Sequence, residues 1–167
     1  MHNHASNTDA RVLAQTCCFT GHRRISQAEM PMLKCQLNAA IIDAIAQGYR
    51  FFGVGGALGF DTLAAQTVLE LKQSYPQIRL ILILPCETQT RGWQTADVAV
   101  YDSIRHAADK VVYTSKTYYD GCMHKRNRHM IDHSSLCICY MTNDCSGTGY
   151  TIRYAEERGR KVINLAK

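Results

Sequence analysis

The sequence has no long apolar run, and this excludes one class of protein at the outset. Its longest uninterrupted apolar stretches span only a few residues, as at 80–84. A membrane-spanning helix needs about 20 consecutive apolar residues, so we expect no membrane insertion. The segment 1–10 also lacks the basic start and the apolar stretch of a secretory signal. We therefore predict a cytoplasmic protein.

A strong charge bias is also missing. The 167 residues include 19 lysines and arginines and 14 acidic residues, which gives a net charge of +5. A moderate and scattered excess suits an anionic small ligand and is weak support for nucleic acid. The apolar share of 46% excludes global disorder. We predict one domain over 12–167 after a flexible N-terminal tail at 1–11, which is polar and without periodicity.

The eight cysteines do not have the spacing of a zinc site. Several lie inside short apolar runs, at 17–18 and 137–139, where a cysteine behaves as a small hydrophobic residue. Disulfides are not expected without a secretion signal. We therefore predict buried thiols, no metal site and no required cofactor.

Apolar runs of two kinds alternate along the chain, with no hairpin signal between the strand-like ones. The apolar stretch at 78–84 is typical of a central parallel strand that is buried on both faces. The alternation predicts an α/β protein with a Rossmann-like, doubly wound, mostly parallel sheet and helices on both faces. The predicted strands are 12–19, 50–54, 78–84, 110–114, 135–141 and 161–165, and the predicted helices are 27–48, 60–74, 92–108, 122–133 and 148–158.

Loops that follow parallel strands emerge on the same edge of the sheet, where ligands of such folds bind. Two of these loops are rich in glycine and hydroxyl groups and lead directly into helices, at 55–59 and 146–148. Such loops bind phosphate through backbone N–H groups and the helix dipole. Neither loop is the dinucleotide fingerprint G-x-G-x-x-G or a Walker loop with its lysine. Each alone is equally explained by a tight turn, so the prediction depends on their convergence.

The convergence predicts a nucleotide site at the carboxyl edge of the sheet. Two of its members have a structural alternative, since His22 can bond the backbone and Asp61 can cap a helix. The predicted nucleotide-binding and phosphate-binding residues are Thr20, Gly21, His22, Arg23, Gly55, Gly56, Gly59, Asp61, Glu87, Arg126, Asn127, Ser146, Gly147 and Thr148.

Several segments together resemble a known family. They are TCCFTGHRR, GGALGFDTLAA, PCETQTRGW, GCMHKRNRHMID, SGTGYTIRYA and GRKVI, in this order between residues 17 and 165. The chain resembles the YpsA-like branch of the SLOG superfamily. The resemblance implies a Rossmann-like fold that binds a nucleotide or a nucleotide-derived molecule of the ADP-ribose or NAD kind. It favours a sensor or regulatory binding protein.

The LOG-type phosphoribohydrolases of the same superfamily provide an enzymatic alternative. Residues 123–127 (MHKRN) are similar to their motif M-H-x-R-K, which makes Arg126 the candidate catalytic residue. In their second motif, P-G-G-x-G-T-x-x-E, Thr151 stands where the glutamate is expected. A carboxylate stabilises the charge that builds up on the ribose, and threonine cannot do so. The departure favours a binder over an N-glycosidase, unless Glu87 or Asp61 replaces that carboxylate.

The DprA-like proteins, also related, imply a second alternative, the binding of single-stranded DNA. Such binding uses a basic groove interleaved with aromatic side chains. Lys116, Tyr118 and Tyr119 offer only a short version of it. The modest net charge argues against nucleic acid, and the sequence leaves open whether the chain forms a homo-oligomer.

Overall fold

A computed structural model describes residues 4–166, which form six strands and six helices. No helix within this range combines the length and the apolar character that crossing a membrane requires. The strands are β1 (Thr16–Gly21), β2 (Phe51–Val54), β3 (Arg79–Leu84), β4 (Lys110–Tyr113), β5 (Leu136–Tyr140) and β6 (Lys161–Asn164). The helices are α1 (His4–Ala14), α2 (Met30–Ala46), α3 (Phe60–Lys72), α4 (Thr95–Ala107), α5 (Cys122–Asp132) and α6 (Gly147–Glu157).

All six strands lie in one parallel sheet, in the order β4-β3-β2-β1-β5-β6. The chain runs outward from β1 to β4 and then returns to place β5 on the other side of β1. Cys18 of β1 is accordingly in register with Gly53 of β2 and with Cys137 of β5. Right-handed crossovers place α2, α3 and α4 on one face and α5 and α6 on the other. The predicted Rossmann-like, doubly wound fold is confirmed.

Two hydrophobic layers cover the sheet. On the first face Phe19 packs with apolar residues of α2, α3 and α4, and on the second face Cys18 packs with apolar residues of α5 and α6. Successive side chains of a strand point to opposite faces, which explains this division. Cys17, Cys18, Cys137 and Cys139 are completely buried. The prediction that the strand cysteines pack in the core is confirmed.

The beginning of the chain differs from the prediction. The sequence predicts a tail without regular structure at 1–11 and a strand at 12–19, but the structure has α1 up to Ala14 and begins β1 at Thr16. The described side chains of α1 are largely exposed, and its first seven residues, HASNTDA, include no large apolar residue, so this stretch has the composition of a polar tail. Residues 1–3 lie outside the described residues, and the division into a tail and a domain stays a prediction.

The apolar residues 12–14 predict a strand, but in the structure they form the end of α1. Thr16 Oγ1 donates to the carbonyl of Val12 at 2.6 Å, and Ser135 Oγ donates to the carbonyl of Ala14 at 3.2 Å. Side chains commonly satisfy the last carbonyls of a helix in this way. The other predicted elements agree with the structure to within about three residues at each end, the usual uncertainty of element boundaries.

The strand order fixes where a ligand can enter. β1 and β5 are neighbours, yet β1 leads to α2 on one face and β5 leads to α6 on the other. The two connections therefore diverge, and a crevice opens between them at the carboxyl ends of the strands.

Candidate functional site

A cavity of about 390 Å³ occupies the crevice at the ends of β1 and β5. Its volume is within the range of about 300–1,000 Å³ that is common for small-molecule sites. Four parts of the chain contribute: the end of β1 with its loop, the β2–α3 loop with the start of α3, the first half of α5, and the start of α6. The lining residues are Phe19, Thr20, Gly21, His22, Arg23, Ala57, Asp61, Met123, His124, Arg126, Asn127, Ser146, Gly147 and Thr148.

The structure brings most of the predicted site residues together in this cavity. Gly55, Gly56, Gly59 and Glu87 are the predicted residues that do not line it. Whether the lining residues contact a ligand stays a prediction. Those that line it are Thr20, Gly21, His22, Arg23, Asp61, Arg126, Asn127, Ser146, Gly147 and Thr148.

Gly59 has a structural role behind the cavity wall. Its φ is +78°, and a Cβ there would collide with the backbone carbonyl of Arg23. The N–H of the next residue, Phe60, donates to the carbonyl of His22 at 3.1 Å. The β2–α3 loop therefore lies directly on the β1–α2 loop, and glycine makes this close approach possible.

Gly55 makes room for charged side chains. A Cβ at this position would lie 2.6 Å from Arg126 Nη1 and 2.9 Å from Asp61 Oδ2. The carbonyl of Gly55 also accepts a hydrogen bond from Arg126 Nη1. Both side chains therefore meet at the end of β2, and Gly55 supports them from behind.

Gly56 and Glu87 lie apart from the cavity for different reasons. Gly56 has a φ of +74°, and a Cβ there would lie 2.5 Å from a methyl carbon of Leu84. Glu87 is exposed in the β3–α4 loop, where its N–H donates to the carbonyl of Lys116 at 3.2 Å. Because β3 is two strands away from β1, its loop opens beside the cavity and not into it.

Two buried side chains of opposite charge, Arg126 and Asp61, lie at the base of the cavity. Their exposed fractions are only 3% and 6%. Arg126 Nε donates to Asn127 Oδ1 at 2.7 Å, and the N–H of Ala57 donates to Asp61 Oδ2 at 3.1 Å. Burial lowers the pKa of Arg126, while the nearby charge of Asp61 opposes this shift. Burial likewise raises the pKa of Asp61, and Arg126 opposes it, so each charge offsets the burial cost of the other.

Thr151 takes part in a hydrogen-bond chain between α5 and α6. Asn127 Nδ2 donates to Thr151 Oγ1 at 3.1 Å, and Thr151 Oγ1 donates to the carbonyl of Gly147 at 3.1 Å. Thr151 is only 2% exposed and does not line the cavity. The threonine that stands in place of the expected glutamate therefore fixes the start of α6 against Asn127.

His22 connects two loops across the crevice. The N–H of Thr142 donates to His22 Nε2 at 2.9 Å, so this nitrogen carries no proton and the neutral ring is protonated on Nδ1. The ring also packs edge to face on Tyr140, with centroids 6.0 Å apart. The structure shows a bond from the backbone to His22, and a contact of this residue with a ligand stays a prediction.

The first turn of α6 lies against the cavity. Ser146 Oγ accepts from the N–H of Gly149 at 3.2 Å, which makes it the N-cap. Gly147 and Thr148 occupy the first two helical positions, whose N–H groups have no acceptor within a helix. Both residues line the cavity. Together with the positive end of the helix dipole, these groups favour an anion.

Arg23 adds positive charge to this end of the cavity. It is exposed on the β1–α2 loop, and within residues 4–166 its guanidinium makes no hydrogen bond. It differs in this from Arg126, whose donors bond to backbone and side-chain groups. Arg23 is therefore the lining arginine whose donors are available to a ligand.

Four lining residues were missed by the sequence analysis. Phe19 and Ala57 carry no chemical signal, since an apolar residue beside a loop is ordinary core. Met123 and His124 belong to the same short motif as Arg126, and this neighbourhood was a usable signal. They line the cavity because the first turn of α5 faces the crevice.

Known structures with this fold include two DNA processing proteins. DNA processing protein A (DprA) of Streptococcus pneumoniae superposes with a TM-score of 0.65 at 16% identity, over 90% of this chain and 50% of that protein. DNA processing protein A of Helicobacter pylori, described for its single-stranded DNA binding mode, gives 0.63 at 19% identity, over 94% and 67%. This chain thus spans half of the S. pneumoniae protein, and the likeness shows a shared fold.

Comparison of amino-acid sequences identifies the family, which the shared fold alone does not. The UPF0398 protein BH1768 of Halalkalibacterium halodurans is 30% identical over 129 residues, which are 75% of this chain and 68% of that protein. The uncharacterised SPbeta prophage-derived protein YoqJ of Bacillus subtilis is 30% identical over 142 residues, with coverages of 77% and 82%. The family model YpsA, described as the YspA SLOG family, matches residues 17–162. The chain therefore belongs to the YspA SLOG family.

Proposed function

We propose that this protein binds a phosphate-bearing nucleotide, or a nucleotide-derived molecule such as ADP-ribose or NAD, as a sensor or regulatory binding protein. One observation carries the proposal: Gly147 and Thr148, at the start of α6, line the same cavity as Arg23. Helix N–H groups, the helix dipole and a guanidinium all favour phosphate oxygens. The phosphate of the ligand lies between α6 and the β1–α2 loop.

Some of the remaining polar groups are available to contact the ligand, and others hold neighbouring residues in place. Thr20 and Thr148 bring hydroxyl groups to the cavity, and these suit a ribose or a phosphate oxygen. The amide of Asn127 is already bonded at both ends, to Arg126 and Thr151. Asn127 therefore positions its neighbours, and Arg126, bonded to Gly55, holds the floor of the cavity.

The proposal is tested by calorimetric titration of ADP-ribose, NAD, ADP and AMP. We expect Arg23→Ala to weaken binding by about tenfold or more, the usual effect of losing a charge-assisted hydrogen bond. Arg24→Ala is the matched control, because Arg24 is exposed on the same loop and does not line the cavity. Equal affinities of the two variants would contradict the phosphate assignment. Arg126 is unsuitable for this test because its removal disturbs the fold.

Hydrolysis of an N-glycosidic bond is a second candidate, and the position of Asp61 favours it. This carboxylate lines the cavity, whereas Glu87 does not. A carboxylate beside the ribose can stabilise the positive charge of the transition state. The test is chromatography of nucleoside monophosphates after incubation with the protein. Free base from the wild type and none from Asp61→Asn would establish hydrolysis. If the nucleotide stays intact with both proteins, binding without hydrolysis is the remaining function.

Single-stranded DNA is the competing ligand class, since a structural neighbour binds it. Titration of an oligonucleotide at several salt concentrations distinguishes a nucleic-acid ligand from a small nucleotide. Contacts to a phosphate backbone release counterions, so this binding weakens steeply with salt. We expect no strong, salt-sensitive binding. Oligonucleotide binding that a mononucleotide fails to displace would point to a different surface.

A further inference from the structure

Two aromatic rings meet at the rim of the cavity. His124, in the first turn of α5, is exposed and lines the cavity. Its ring centroid lies 4.5 Å from that of Tyr150 in α6, with the ring planes inclined by 64°. Edge-to-face packing of this kind fixes the orientation of both rings.

Tyr150 is itself held in place. Its hydroxyl accepts a hydrogen bond from Arg128 Nη1 at 3.2 Å. Arg128 follows His124 by one helical turn, so α5 supplies both the ring and the group that braces its partner. Tyr150 does not line the cavity. It therefore supports the His124 ring from outside.

The polar groups and the aromatic group of the cavity suit different parts of a ligand. Arg23 and the N–H groups of α6 provide for an anion, while Met123 lies next to His124 in the chain and also lines the cavity. Within residues 4–166 the His124 ring makes no hydrogen bond, so its orientation depends on Tyr150. A thioether beside an oriented ring is a favourable surface for the face of another planar ring.

We propose that Met123 and His124 bind the base of the nucleotide by stacking, and that Tyr150 and Arg128 are positioning residues for His124. This inference rests on the proposed function and narrows the ligand class. Stacking is tolerant of base identity, because every base has a π-face. The ligands are accordingly nucleotides of several bases, and a sugar phosphate without a base is a poor ligand.

The first experiment compares AMP, CMP and ribose 5-phosphate by calorimetry. We expect AMP and CMP to bind within about fivefold of each other, and ribose 5-phosphate about tenfold or more weaker, as for the loss of one stacked base. Equal binding of all three, abolished by Arg23→Ala, would overturn the stacking inference and keep the phosphate site. Absence of binding by all three, with ADP-ribose and NAD also inactive, would overturn both.

Variants of His124 distinguish stacking from hydrogen bonding. His124→Phe keeps an aromatic face and should bind AMP like the wild type. His124→Gln and His124→Ala should weaken AMP binding by about tenfold and leave ribose 5-phosphate unchanged. The reverse pattern, in which Gln binds and Phe does not, would overturn stacking and assign His124 as a hydrogen-bond partner.

Variants of Tyr150 test the positioning role. Tyr150→Ala should weaken AMP but not ribose 5-phosphate, while Tyr150→Phe keeps the ring contact, loses the bond from Arg128 and should therefore restore part of the affinity. A selective loss for AMP separates positioning from general damage to the fold, and melting temperatures of both variants check this. Equal loss for both probes, or no rescue by phenylalanine, would overturn the positioning role.

Discussion

At the scale of single residues, Gly59 offers a direct test of how the two loops are packed. We expect Gly59→Ala to destabilise the protein by about 2 kcal/mol or more, because positive φ is strained for alanine and the added Cβ collides with the Arg23 carbonyl. Gly48→Ala is the control: its φ is +99°, but no atom lies within 4 Å of the added Cβ. It should cost only the strain, about 1 kcal/mol. Equal losses in urea unfolding would contradict the close approach of the loops.

The neighbouring charges of Arg126 and Asp61 predict coupling between the two residues. Arg126→Met removes a charge that favours the buried carboxylate of Asp61, which should cost about 1–3 kcal/mol at pH 7. Adding Asp61→Asn should recover part of this loss, and a double-mutant cycle by urea unfolding measures it. Additive losses would show that the two charges do not interact.

The same variant predicts a pH dependence with a definite sign. Burial already raises the pKa of Asp61, and removing Arg126 removes a charge that lowers it. A carboxyl whose folded pKa lies above its unfolded value of about 4 destabilises the fold as pH rises through that window. The deficit of Arg126→Met should therefore shrink as pH falls toward about 4.

Single residues also show how far the sequence can predict a site. Arg23, Arg126, Ser146 and Gly147 were predictable because chemistry and position after a strand both pointed to one edge. That Gly59 supports a loop and does not line the cavity was not predictable, because the reason is the distance to the Arg23 carbonyl in the folded chain. Tertiary approach of this kind leaves no local pattern.

At the scale of elements, the start of α6 permits the removal of one backbone donor. Gly147 is the first helical residue, and a Cβ there meets nothing within 4 Å. Proline is well tolerated at this position, and Ser146, at φ −97° and ψ 170°, already has the conformation favoured before proline. We expect Gly147→Pro to keep the fold and weaken AMP or ADP-ribose by about tenfold.

Gly147→Ala is the control for the proline variant, since it adds a Cβ and keeps the N–H. It should bind these ligands like the wild type. If both variants bind equally well by calorimetry, the phosphate does not contact this N–H group.

The helices and strands differ in how well the sequence predicts them. β3 and β5 were predictable because burial on both faces requires continuous apolar runs. α1 was not, because its first seven residues are polar or small and its large apolar residues, Val12 and Leu13, lie just before β1, where they favour a strand. The prediction was therefore accurate for the buried strands, whose residues are constrained by packing. It was wrong for α1, whose residues mostly face solvent.

At the scale of the whole molecule, the cysteines report on global unfolding. Cys35 and Cys145 are exposed, and the other six are buried. Burial raises the pKa of Cys17, and a hydrogen bond with Cys18 together with burial raises that of Cys137, so both remain unreactive thiols. We expect two thiols to react rapidly with Ellman's reagent and six only on unfolding. In Cys35→Ser/Cys145→Ser the rapid phase should vanish, and its persistence would show that the core opens locally.

The parallel type of the sheet was predictable from the sequence, but the order of its strands was not. Alternation of strands and helices implies a parallel sheet with ligands at one edge, and this much follows from handedness and connection length. The order β4-β3-β2-β1-β5-β6 depends on which side of β1 the returning strand joins. That choice is made by packing across distant segments, so which parts of the chain form the cavity is visible only in the structure.

The return of the chain to β1 has a consequence for how the protein is made. Thr20 and Thr148 line one cavity, although they lie near opposite ends of the sequence. During synthesis β1 to β4 can pair in order as they emerge, but the crevice has no second wall until β5 and the start of α6 arrive. Pairings so distant in the chain form late, because loop closure must come first. Under the proposed function, the growing polypeptide would gain its ligand site only after β5 and the start of α6 have joined the sheet.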